Sequence, residues 1–206
     1  MPAQKTQPAT DVRERILTEA TRLFAARGFD GASLQDISDA VGIRKQSLLY
    51  HFSSKDVLRL SVLAYLLERW NDVLPRLLVA ATSPEGQFDA VVNETVRFLT
   101  EDPDRARLLI REVLDRPTDM SVLINEHVRP WVNIICNYIR KGQQQGTVHP
   151  AVSPEAYVVN CMTLLLSSVA IHECLSAADP KLFDSHIREL LRIAKSSLFL
   201  PKPEAK

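Results

Sequence analysis

"SLQDISDAVGIRKQSLLYHF", Ser33 to Phe52, sets two short helical runs on either side of one glycine. Ser33 is a natural N-cap, and Asp36 three residues on completes a variant of the capping box. Ile37, Val41, Ile43 and Leu48 supply the apolar positions, and Ser38 is small, as a close helix crossing requires. Gly42 can take the positive φ of a tight turn. A short helix, a glycine turn and a second helix with an apolar inner side make the helix-turn-helix pattern. The second helix then carries Arg44, Lys45, Gln46, Ser47, Tyr50 and His51 on or near its outward side. Side chains of these types donate to phosphate oxygens and to base edges in a major groove. Two cations at a helix start are by themselves commonly a solvated face. The cap, the turn and the apolar spacing together favour DNA.

Outward from this stretch the chain reads as all-α. Period-two alternation is absent, only six glycines occur, and apolar residues recur at helical spacing. Ile16, Ala20, Leu23 and Phe24 describe a first helix that stops at Gly28. Ser54 caps a fourth, longer helix that runs through Trp70 to about Leu78. Pro84, Pro103, Pro154 and Pro180 each stand where a first helical turn would begin. A long helix between Asp119 and Lys141 carries Pro130 and is expected to kink there. The run "DPDRARLLIRE", Asp102 to Glu112, reads as a solvated face with Asp102 and Asp104 as cap acids. The expected total is about nine helices. They divide into an arm over residues 1–10, a helix-turn-helix domain over 11–54, a larger helical domain over 55–200 and a tail over 201–206.

Composition narrows the function. Apolar residues make up 46% of the 206-residue chain, enough for a real core. Formal net charge is zero, which argues against a generally basic packaging protein, so any nucleic-acid site must be local. Within residues 1–60, nine Lys and Arg face seven Asp and Glu, a modest surplus. Cys136, Cys161 and Cys174 show no CxxC spacing, no secretion signal is read at the start, and reduced thiols in a cytoplasm are expected. The apolar run Tyr157 to Ile171 is short of the roughly 20 residues a membrane span needs, so no membrane partner is expected. No phosphate loop, nucleophile elbow or paired-histidine motif is present, which sets aside an enzyme, and no cofactor is expected. His172-Glu173-Cys174 is rejected as a metal site, because neighbouring helical residues point about 100° apart.

Arg15 to Leu58 resembles the DNA-binding domain of the tetracycline-repressor (TetR) family. The Ala-x-x-Leu-Phe-x-x-x-Gly-Phe pattern stands as Ala20, Leu23, Phe24, Gly28 and Phe29. Ser33 opens the second helix, and Tyr50, His51, Phe52, Ser54 and Lys55 match the segment that leads into the fourth. The resemblance implies an all-helical homodimer that reads an inverted-repeat operator, binds a small effector and dimerises through its last two helices. Carried over by position, Ser33 and Lys55 look like phosphate contacts, and Lys45, Tyr50 and His51 like groove or backbone contacts. Gln35, Arg44, Gln46 and Ser47 are the expected sources of sequence preference, with Arg44 suited to guanine and Gln46 to adenine. Leu49 departs from the family's usual tyrosine and removes one phosphate contact, and Arg44 replaces a commoner small residue. The alternative is a helical sensor or interaction protein whose DNA binding is weakened or lost.

The segment Pro154 to Ala177 is apolar on nearly all sides and must face more than its own core. With the last helix it is expected to pair with symmetry mates as a four-helix bundle. The expected interface residues are Val158, Met162, Leu165, Val169, Phe183, Ile187, Leu190, Leu191 and Ala194. An effector pocket is expected among the middle helices, with Trp70, Phe98, Trp131, Tyr138, Asn160, Thr163 and Ser167 as candidates. Its apolar lining suits a hydrophobic or aromatic effector that acts by shifting the fourth helix. The expected function is a repressor released from its operator by that effector.

Overall fold

The computed structural model describes residues 9–81, 83–179 and 181–201, with the side chains of residues 9–11 and 69–72 outside that description. Pro180, most of the expected N-terminal arm, most of the tail and the Trp70 side chain therefore lie outside the described residues. Those described form eleven α-helices and one π-helical turn. Helix α1 is Ala9–Gly31, α2 Leu34–Val41, α3 Lys45–His51, α4 Lys55–Ala80, α5 Pro84–Thr100 and α6 Pro103–Asp115. They are followed by α7 Pro117–Leu123, the π turn Ile124–Val128, α8 Arg129–Gln144, α9 Pro154–Ala170, α10 His172–Ala178 and α11 Leu182–Leu198.

Local chemistry explains most boundaries. Gly28 breaks α1 near its end at φ +73. Ser33 accepts from the Asp36 amide at 3.1 Å while the Asp36 carboxylate accepts from the Ser33 amide at 2.8 Å, so the capping box is closed. Gly42 ends α2 in the left-handed region at φ +75. Ser54 accepts from the Val57 amide at 3.1 Å and starts α4. Pro84, Pro103 and Pro154 open α5, α6 and α9.

Two expected helices are interrupted. The stretch expected as one kinked helix from Asp119 to Lys141 keeps helical backbone through both junctions, but the π turn Ile124–Val128 interrupts its α ladder between α7 and α8. Pro130 has no N–H for the carbonyl four residues back, so the ladder opens one turn earlier than a kink at the proline itself. Pro117 starts α7, a helix the sequence reading had not separated. The apolar segment after Pro154 also divides: Ile171 leaves helical geometry at ψ 10, and α10 departs from α9 at 58°. Among the described residues no single helix is long and apolar enough to cross a membrane.

The core is continuous from the helix-turn-helix to the C-terminal helices. Ile16, Leu17, Ala20 and Phe24 of α1 are buried with Ile37, Leu48 and Phe52, and on the same side with Leu58, Val62 and Leu63 of α4. Helix α1 packs on α4 and α6, and α6 on α9. The C-terminal end is stapled by an antiparallel bridge: the His149 amide donates to Leu198 and the Leu200 amide to Thr147. A Cβ on Gly142 would stand 2.5 Å from Val148, so that crossing requires glycine.

One buried ionic cluster holds α4 to the larger domain. Arg59 is 3% exposed and donates at 2.6 Å to Glu112 of α6, itself 4% exposed, and also to Asp119 of α7. Burial disfavours the charge on Arg59, but the bonds it donates to Asp119 and Glu112 outweigh that, and the guanidinium is held above its usual range. Glu112 corrects the reading of Asp102 to Glu112 as a solvated face: the cap acid Asp102 is in place, but the end of that run turns inward. Arg59→Ala would leave Glu112 buried without its counter-charge. The expected loss of stability is about 3–5 kcal/mol in chemical denaturation; a loss below about 1 kcal/mol would show that solvent screens the pair.

Candidate nucleic-acid interface and ligand chamber

Helix α3 is only seven residues long, and tertiary packing sets its orientation. Leu48 is fully buried, and Phe52 closes its far end inside the core. This turns the other side of α3 outward. Arg44, Lys45, Gln46, Ser47 and Tyr50 are all exposed, Tyr50 at 87%. Arg44 occupies the N-cap position without a side-chain cap, and the first turn carries no acid. The Ser47 and Leu48 amides bond the Arg44 carbonyl, so the positive dipole end and the two cations, Arg44 and Lys45, are what this end of the helix offers to phosphate.

The remaining expected contacts are placed more variously. Gln35 is exposed on α2, its amide donating to Asp39 at 2.8 Å. Ser33 is exposed, with its hydroxyl engaged in the α2 cap, and the Asp36 carboxyl in that cap lies below its usual range because Ser33 bonds it. His51 is half-buried, edge-on to Tyr50 with ring centroids 5.5 Å apart. Lys55 is half-buried, with its ammonium 4.2 Å from the centre of the Phe29 ring. Leu49 is 37% exposed beside them.

Phe29 marks a junction that the sequence reading missed. Besides Lys55, Arg59 lies 5.5 Å and Arg116 4.6 Å from its ring centre. Arg116 stands between α6 and α7 and pairs with Asp30 at 3.8 Å. The end of α1, the start of α4 and the α6–α7 corner thus meet around one ring. Spacing within a single element gives no signal for such a site, because its cations come from positions far apart in the chain.

Behind this junction lies a chamber of about 560 Å³ walled by α4 to α9. It gathers four of the expected pocket residues: Phe98, Trp131, Thr163 and Ser167. Tyr138 lines a second, narrower cavity of about 100 Å³. Asn160 lines neither and is exposed. Among the described residues, the wall of the larger chamber has no Asp, Glu, Lys, Arg or His. Leu114, Ile124, Val159 and Thr163 are exposed wall residues and mark its open side.

Within one chain the expected dimer residues take different places. Val158, Leu165, Val169, Phe183, Ile187 and Leu190 are buried in the chain's own core. Met162 lines both cavities, and Leu191 and Ala194 are half-buried. A helical period identifies an apolar stripe without saying which neighbour covers it. The face left open carries Asn160, Leu164 and Ile171 on α9 and at its end, and Leu182 and Ile193 on α11. A 2.8 Å hydrogen bond between Ser168 and His186 joins the two helices.

Comparison with known proteins agrees with this architecture. The family of bacterial regulatory proteins, tetR family, matches residues 16–62, and the tetracyclin repressor-like C-terminal domain matches residues 84–187. Over 168 residues the chain is 30% identical to the HTH-type transcriptional regulator LmrA of Bacillus subtilis (strain 168), covering 78% of this chain and 88% of that one. A local match, 46% identical over 44 residues, links it to the biofilm operon icaADBC HTH-type negative transcriptional regulator IcaR of Staphylococcus aureus, covering 21% of this chain and 24% of IcaR. The solved structure of the fatty acid degradation regulator FadR from Bacillus halodurans shares the fold at a TM-score of 0.74 and 18% identity, covering 93% of this chain and 96% of that one. The chain belongs to the tetR family of bacterial regulatory proteins and is a DNA-binding regulator of transcription.

Proposed function

We propose that this regulator is a repressor that binds an inverted-repeat operator as a homodimer and is released when an uncharged, lipophilic small molecule enters the chamber of about 560 Å³. The observation that carries the effector reading is the wall of that chamber, whose described residues are apolar apart from a few hydroxyls and the Trp131 indole and include no charged side chain. A buried ionic ligand would lose its hydration there with no counter-charge to replace it. Arg44 and Gln46 supply base preference, and Lys45, Tyr50, His51 and Lys55 hold the backbone.

The proposed link between the two ends runs through Arg59. The chamber wall includes Leu109, Ile110, Val113 and Leu114 of α6, Met120 of α7 and Leu66 and Leu67 of α4. The same α6 and α7 carry Glu112 and Asp119, which bind Arg59 near the start of α4. A ligand that spreads these helices therefore strains a contact one turn away from Lys55. It shifts the equilibrium only by the amount it prefers the released state, and about 1–3 kcal/mol of preference gives roughly 5–150-fold weaker operator binding. The proposed dimer face is the open one, with Leu164, Ile171, Leu182 and Ile193 at its apolar positions.

Selection of bound duplexes from a random pool, followed by salt-dependent titration, tests the DNA reading. Lys45→Ala is expected to weaken binding to all duplexes and to flatten the salt slope by about one unit per protomer. Arg44→Ala is expected to relax preference at one base pair by about 1–3 kcal/mol. Unselective binding by the unaltered protein at low salt would refute operator recognition. For assembly, Leu164→Asp combined with Ile193→Asp is expected to give folded monomers in sedimentation. A pair variant that still sediments as a dimer would move the interface elsewhere.

A further inference from the structure

The two cavities are not independent. Thr95, Val158 and Met162 belong to the walls of both, so these three side chains form the partition between the chamber of about 560 Å³ and the narrow one of about 100 Å³. Two of the three are fixed. The Thr95 hydroxyl donates to the Val91 carbonyl at 2.8 Å, and Val158 is buried and stiff about χ1. Met162 is half-buried, unbranched and free to turn about three bonds. It is the part of the wall that can swing aside without breaking a hydrogen bond.

The narrow chamber is built for hydrocarbon. It is lined by Phe88, Val91, Ile135, Leu165 and Leu198 among others. Two of its polar side chains are bonded to the protein: the Gln87 amide donates to the Leu78 carbonyl at 2.8 Å and the Tyr157 hydroxyl to the Ala194 carbonyl at 2.7 Å. Burial pushes both the Tyr157 phenol and the Cys161 thiol up, as in a dry surrounding. Among the described residues, no Asp, Glu, Lys, Arg or His lines this chamber either. On the open side of the large chamber, by contrast, Thr163 and Ser167 place two hydroxyls four residues apart on the same face of α9.

We propose that the two cavities are one bipartite site for a neutral amphiphile with a flexible alkyl tail. Its polar end lies by Thr163 and Ser167, its body fills the large chamber, and its tail passes Met162 into the narrow one. Met162 is then a specificity residue that measures tail length. This rests on the reading of the large chamber as the effector site. The narrow chamber holds about three groups of water size, at roughly 30 Å³ each, so it admits about three further methylenes.

The test is a series of primary n-alkanols from octanol to tetradecanol, titrated against the full chain. Trp131 in the wall of the large chamber is one of the chain's two tryptophans, and occupancy is read as a change in tryptophan fluorescence. Affinity should rise about fourfold per methylene up to a plateau. Met162→Phe, which stiffens the partition, should bring the plateau forward by about three methylenes and weaken the longest alcohols roughly 50-fold, leaving short ones unchanged. Ile135→Phe fills the narrow chamber from its far side, leaves the partition intact and should do the same. An unchanged plateau in either variant, with thermal melting showing a folded protein, would overturn the bipartite site and leave the large-chamber reading standing. Absence of any fluorescence response across the whole series in the unaltered site would remove both.

Discussion

A guanidinium enclosed by protein must find its counter-charges inside, and at Arg59 it finds them on two other helices. Glu112 and Asp119 come from α6 and α7, more than fifty residues further along the chain. Desolvated charges tolerate displacement poorly, because the attraction that offsets their lost hydration depends on close geometry. The position of α4 is thereby tied to the α6–α7 corner. Helix α4 follows α3 after three residues, so the tie extends to the DNA-facing helix. Phe29, with Lys55, Arg59 and Arg116 over its ring, adds the end of α1 to the same joint.

The other organising element is α9. Its sequence is apolar nearly all round, and the structure gives its sides different work. Val158, Leu165 and Val169 are in the core, Met162 divides two cavities, and Leu164 is open to solvent. A helix with one wet face could not serve all three. This explains why α9 combines high apolarity with scattered Ser, Thr and Asn: the hydroxyls of Thr163 and Ser167 face a chamber, and Ser168 bonds α11 through His186.

Local signals were strong where a boundary depends on one residue. The Ser33 cap, the Gly28 and Gly42 breaks, the Ser54 cap and the prolines at 84, 103 and 154 stand where the sequence placed them, because each acts through its own backbone or the next turn. Signals faded where the outcome depended on partners. The break ahead of Pro130 was displaced by one turn, and the bend at Ile171 carries no proline or glycine to announce it. Glu112 looked solvated because its partner is 53 positions away.

The sequence by itself determined the helical class, the helix-turn-helix and the outward display of Arg44, Lys45, Gln46, Ser47 and Tyr50, since caps, turns and helical periodicity operate over a few residues. Only the tertiary structure decided which apolar stripe is core, which lines a cavity and which stays open, and it packs Val158, Phe183 and Ile187 inside the chain. The physical reason is that burial is non-directional: apolar residues register only that they leave water, and the packing of distant helices selects what they meet.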